Sequence, residues 1–259
     1  MYANKMDPFV DESSIVRQIW SRADSVLFIF AGAAAEFALN KAVDWLYFTG
    51  RLPADPLGRL FSTMTYARFI IFSPVNEAND YIDQITNIHK AVEHNRGTQI
   101  PDWAYRDVLF MLIWYSIRAY EVLYRPLSQA GKNEVFDVFY RVGLRMGLHD
   151  LPTTYEEWQV MHQEHLDHDL IYSNFTTDLY KQYRKHLGPV RYMVLKRVQA
   201  LIVPRRVNRM LNLGKPGTLI PLLFCYKLCR YIKIDTLFID NVLPPEYKAR
   251  IQQIRLTQV

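Results

Sequence analysis

His89 stands where an imidazole is costly. Ile82, Ile85, His89 and Val92 are spaced three, four and three apart, which puts them on one face of a helix. An imidazole amid aliphatic side chains must find a partner or destabilise the fold. It can bond a carbonyl as an ordinary core histidine, or it can ligate a metal or a haem iron. Arg59, Ser62 and Thr63 share one turn of the preceding helix. Arg59 can hold a carboxylate there, or it can form a surface ion pair with Asp55 four residues earlier. A rival metal site is spelled by the run from His162 to His168. His162 and His165, or His165 and His168, share a face at i, i+3 spacing, with Glu164 or Asp169 as an oxygen donor. Few apolar residues accompany that run, and metal sites of this kind are usually built from several inward-facing helices. The expectation for it is therefore a solvated polar face.

The elements that must carry these residues are helices. Asp55-Pro56 and Ser73-Pro74 each place an N-cap residue before a proline, a start signal for the Arg59 helix (to about 72) and the His89 helix (about 74–94). Helical spacing continues almost everywhere else. It predicts helices at about 13–23, 25–48, 102–124, 132–146, 154–170, 176–187, 190–203, 205–213 and 218–233, with a short one near Pro245. Thr153-x-x-Glu156 reads as a capping box and Gly147 as a C-terminal stop. No stretch of the 259 residues resembles a linker, so the expected architecture is one all-α domain over 1–259, a bundle of about ten helices with buried central ones.

Composition agrees. Half the residues are hydrophobic and only ten are glycine, which suits a large helical core. The most apolar run, Val26–Ala35, is about half the roughly twenty residues needed to cross a bilayer, so it reads as a buried helix. Its small residues, Ala31 to Ala35, allow either tight helix packing or a flat cofactor against the backbone. Cys225 and Cys229 are four apart, not the spacing of a redox or zinc pair. The polar N-terminus lacks a basic region before an apolar core, so a cytoplasmic, reducing setting is expected.

From Lys181 to Lys233 there are thirteen Lys/Arg and no Asp or Glu. This basic C-terminal part (181–259) is either a solvated surface or a peripheral contact with anionic membrane. Nucleic acid is not expected, because no recognised nucleic-acid module accompanies the charge. No phosphate-binding loop and no nucleophile elbow occurs.

One family shares this order of residues. Asp55-Pro56-x-x-Arg59-x-x-x-Thr63, followed by Ile88-His89-x-x-Val92, resembles the haem-dependent oxygenases that include the mpaB-type enzymes and the latex clearing proteins. The likeness continues through Pro126-Leu127-Ser128, the aromatic helix Phe136–Tyr140, Gly143, Gly147-Leu148 and Leu151-Pro152-Thr153, covering about residues 20–170. It implies haem b as cofactor and His89 as the proximal iron ligand. Arg59, Ser62 and Thr63 would form the distal side, and dioxygen would act on a hydrophobic substrate. Departures are visible. Ser62 stands where the rubber-cleaving members carry a lysine, and Thr86 where an arginine is common. Ile113-Trp114-Tyr115 replaces Trp-Val-His. No counterpart of the catalytic glutamate stands out, Glu36 and Asp44 being the nearby carboxylates. The departures bear on carbon–carbon double-bond cleavage more than on iron binding. Two other classes stay open: a non-catalytic haem carrier or sensor, and a cofactor-free, membrane-peripheral helical protein.

Overall fold

Among the described residues, 7–50 and 54–217 with positions 221 and 223, the computed structural model contains ten α-helices and no strand. They are α1 (Ile15–Trp20), α2 (Ala23–Phe37), α3 (Val43–Phe48), α4 (Pro56–Phe72), α5 (Val75–Arg96), α6 (Asp102–Leu123), α7 (Gln129–Arg145), α8 (Tyr155–His168), α9 (Asn174–Ile202) and α10 (Arg205–Leu211). The all-α expectation holds. The helix expected at 218–233, the one near Pro245 and both cysteines lie outside the described residues.

Side-chain oxygens start half of these helices by accepting a free N–H. Asp55 takes that of Gly58, Ser128 that of Gly131 and Thr154 that of Glu157. Two starts differ from expectation. Pro74, not Ser73, caps α5, and the Val75 N–H donates to the Asp7 carbonyl of the N-terminal segment. The capping box at Thr153 is shifted by one residue: Thr154 is the cap, and Glu157 reaches back to the N–H and hydroxyl of Thr153.

The helix expected over 25–48 is two. α2 stops at Phe37 because the backbone at 39–42 has better partners outside a helix. Lys41 N–H donates to Asp169 O, Ile171 N–H to Leu39 O, and the Asn40 side chain accepts from Ala42 N–H. Conversely, the helices expected at 176–187 and 190–203 run on as α9 across a kink, where Gly188 takes a left-handed φ of 72° before Pro189.

α2 and α6 form the most extensive helix pair and the centre of the bundle. Gly32 makes their approach possible. A Cβ there would lie 2.2 Å from two ring carbons of Tyr115 and 3.0 Å from Ile202. Gly32→Ala is expected to cost about 1–3 kcal/mol through overpacking, read as a lower urea midpoint with an unchanged slope.

Candidate functional site

The small-residue stretch of α2 is packed against other helices on one face and lines a cavity on the other. Gly32 takes the Tyr115 ring, and the Ala31 carbonyl accepts from Gln199, so one face is packed against α6 and α9. Ala33 and Ala34 turn the other way and line a cavity of about 320 Å³. That cavity is walled by α2, α3, α4, α5, α6, α7 and α9, and its surface is mostly aliphatic and aromatic. The volume falls at the small end of the range typical for ligand pockets.

All four residues singled out for haem chemistry line this one cavity. Arg59, Ser62 and Thr63 come from α4, which Asp55 and Pro56 start in register. His89 comes from α5, together with Ile85, Ile88 and Val92. Ile82, the first member of the stripe, is wholly buried in the core beside it. The Ser62 and Thr63 hydroxyls both donate to the Arg59 carbonyl, at 2.8 and 3.2 Å.

His89 did not find a carbonyl. Its Nδ1 is buried with no hydrogen-bond partner. Burial, aided by the positive charge of Arg59 and only partly offset by Glu93, pushes the imidazole pKa down to about 4. The ring is therefore neutral at physiological pH, the state in which it can ligate a metal. Tyr105, unremarked in the sequence, packs edge-on against it with centroids 5.0 Å apart. The Tyr105 hydroxyl donates to Glu93 Oε1 at 3.0 Å, one turn beyond His89. The signal was present as a carboxylate at i+4 from the histidine, but its partner on α6 is invisible to local spacing.

The cavity wall also includes Trp45, Leu46 and Thr49 of the short α3. Arg96, at the end of α5, pairs with Asp44 at 2.6 Å and lies over the Trp45 ring, 3.9 Å from its centroid. Asp44 is thus engaged as an ion-pair partner, and Thr86 bonds its own helix at the Ile82 carbonyl.

A second polar constellation lies behind α2, and it corrects the expectation for the histidine run. His162 and His165 are 3% and 2% exposed, not solvated, while Glu164 and His168 do face solvent. Burial comes from other helices. His162 is stacked between Trp114 and Trp158, at centroid distances of 5.1 and 5.2 Å. His165 reaches Glu36 of α2 with Nε2 at 3.1 Å and Asp107 of α6 with Nδ1 at 2.8 Å. Glu36, fully buried, also accepts from the Tyr115 hydroxyl at 2.7 Å, and Asp107 accepts from Asn40 Nδ2 at 2.8 Å.

Burial alone would raise the Glu36 pKa, but the His162 imidazole 3.8 Å away and the hydrogen bond with His165 hold it near 2. Burial alone would lower that of His165, but Asp107 and Glu36 raise it to about 10. The imidazole therefore carries a proton at physiological pH. Tyr115, the third residue of Ile113-Trp114-Tyr115, is therefore a donor to a buried carboxylate.

No curated protein is a significant match to the sequence. One family does match, over residues 18–228: the catalytic domain described as ER-bound oxygenase mpaB/B'/Rubber oxygenase. The match runs past the motifs at 20–170 and takes in much of the basic C-terminal part. Within it fall both α4 and α5, the cavity they wall, and the cluster behind α2. The chain belongs to this family of oxygenase catalytic domains.

Proposed function

We propose that the protein is a b-type haem-dependent oxygenase or oxidoreductase that uses dioxygen on a hydrophobic small molecule, with His89 as the proximal ligand. The observation that carries this reading is a neutral imidazole in the wall of a mostly apolar cavity, its buried Nδ1 without a hydrogen-bond partner, within electrostatic reach of Arg59. Bound haem would supply the redox chemistry that activates dioxygen. The residues present fit the group. Ala33, Ala34, Ala42 and Ala67 give flat, low-relief walls, His89 offers a nitrogen that nothing else uses, and Arg59 brings a cation into an otherwise apolar space.

The chain's own part is to bind, orient and exclude water. His89 would hold the cofactor, with its ring steadied by Tyr105, which Glu93 holds in turn. Arg59 stabilises negative charge, either a propionate or an anion held in the cavity. Ser62 and Thr63 hold hydroxyls beside it that can turn from the Arg59 carbonyl toward a polar ligand. Leu109, Met111 and Phe139 keep the remaining wall dry.

Serine at position 62 is too short and too weak a donor to serve as a second iron ligand. Purified protein is therefore expected to take up one haemin per chain, with a Soret band, and ferric protein to bind azide, cyanide or imidazole with a spectral shift. A resting spectrum with two nitrogenous ligands that resists these ions would replace the oxygenase reading with a carrier. Failure to take up haemin would leave a cofactor-free helical protein.

Hydrophobic substrates partition into membranes, and we extend the proposal to a peripheral contact there. No helix among the described residues is long and apolar enough to cross a membrane. On α9, however, Val190 and Met193 are 68% and 55% exposed close to the exposed Lys181, Arg184 and Lys185. Apolar side chains beside cations suit an anionic interface. Sedimentation with anionic vesicles is expected to exceed that with neutral vesicles and to fall steeply between low and physiological salt. Equal binding to both lipid types removes the membrane contact and leaves the haem assignment standing.

A further inference from the structure

The cluster behind α2 has the anatomy of a second metal site, separate from the cavity. Its centre is His165, whose ring is held from one side. Nε2 lies 3.1 Å from Glu36 Oε1, and the other oxygen of Glu36 is bonded by Tyr115. This is the carboxylate–imidazole support that orients metal-ligating histidines, and it turns Nδ1 outward from α2. Nδ1 is deeply buried and has no aligned hydrogen-bond acceptor, although Asp107 Oδ2 is 2.8 Å away. It faces that oxygen and, at 3.7 Å, Oδ2 of Asp169.

The spacing is informative. Donors about 2.1 Å from one ion sit about 3.0 Å apart in octahedral and about 3.4 Å apart in tetrahedral geometry. The 2.8 and 3.7 Å separations bracket both values, and the three donor atoms all lie within 4.8 Å of one another. Charge points the same way. Glu36, Asp107 and Asp169 bring three carboxylates to one imidazole, so even a protonated ring leaves an excess of negative charge. Lys41 and Arg106 oppose that excess only from a distance, since their hydrogen bonds go to the carbonyls of His168 and Asp150.

We propose that Asp107, His165 Nδ1 and Asp169 bind a divalent transition-metal ion, of the class that accepts mixed imidazole and carboxylate donors, such as Zn²⁺ or Mn²⁺. The site joins α6 to the end of α8, with α2 supplying the supporting carboxylate. Asn40 holds Asp107 in place from the α2–α3 turn. Asp169 is partly exposed, which gives the ion an entry path and leaves room for water to complete its coordination.

The test uses full-length protein stripped with a chelator, dialysed against limiting Zn²⁺ and desalted, with zinc per chain measured by elemental analysis. About one Zn²⁺ per chain is expected in the wild type and in His89→Ala, falling at least tenfold in Asp169→Asn and in His165→Gln. Circular dichroism verifies that Asp169→Asn, a conservative change at a partly exposed position, stays folded. Added Zn²⁺ should raise the melting temperature of the wild type and not that of Asp169→Asn. The site is overturned if the wild type retains no zinc, or if folded Asp169→Asn retains as much as the wild type. It is also overturned if zinc is lost in His89→Ala, which would put the ion in the cavity. None of these outcomes depends on whether haem binds.

Discussion

Replacing His89 by alanine is expected to abolish the Soret band of haemin-treated protein while the helical circular dichroism stays essentially as it was. The expected loss of haem affinity exceeds about 100-fold, since removing even a residue that only supports a metal ligand costs 10–100-fold. The fold should hardly notice. His89 Nδ1 makes no hydrogen bond, so the substitution breaks none there and relieves a buried polar atom of its desolvation penalty. The Tyr105–Glu93 bond beside it survives, because neither partner uses the imidazole. Added imidazole, diffusing into the space left behind, should restore part of the band. An unchanged spectrum in the variant would reject His89 as the ligand, whatever the wild type binds.

Glu36→Ala has the opposite signature: little effect on a ligand in the cavity and a large one on stability. Glu36 is fully buried and engaged by Tyr115 and His165, so its removal strands a buried hydroxyl and leaves the His165 ring with Asp107 on one side and nothing at Nε2. Breaking one side of a buried ion pair costs about 3–5 kcal/mol. Urea unfolding of chelator-treated protein should show that loss as a lower midpoint. Glu36→Gln, which keeps an acceptor for Tyr115 but no charge for His165, should fall between the two. A change below about 1 kcal/mol for the alanine variant would mean that the cluster repacks without its carboxylate.

Local patterns carried the haem-side residues because each of those signals is contained in one helix. Asp55-Pro56 fixes where α4 begins and therefore which face holds Arg59, Ser62 and Thr63; the Ile-Ile-His-Val spacing does the same for His89. The structure needed only to bring two correctly phased faces to one cavity. The cluster behind α2 was illegible for the complementary reason. The segment from His162 to Asp169 looks polar in its own helix, and only the arrival of Trp114, Asp107 and Glu36 from α6 and α2 makes it an interior. Glu36 itself looked like a stray carboxylate at the end of an apolar run, since its partners lie 79 and 129 residues away. The break after Phe37 failed for a related reason. Residues 38–42 have ordinary helical composition, and what ends α2 is backbone pairing with residues 169–171, a contact between segments remote in the chain.

The six residues of α3 wall part of the cavity, yet they bury little, Val43 being the one core position among them. Their attachment to the end of α5 is the partly exposed pair of Arg96 with Asp44, and such pairs are worth about 0–1 kcal/mol. Stacking of the guanidinium on Trp45 adds about 0.5–1 kcal/mol. The bundle around α2 and α6 is anchored far more deeply. Parting α3 from the end of α5 therefore requires only a small fraction of the free energy of global unfolding, while the Tyr47 hydroxyl, donating to Asp178 and to the Phe175 carbonyl, keeps the helix tied to α9, so this wall of the cavity can yield along one edge while it holds along the other.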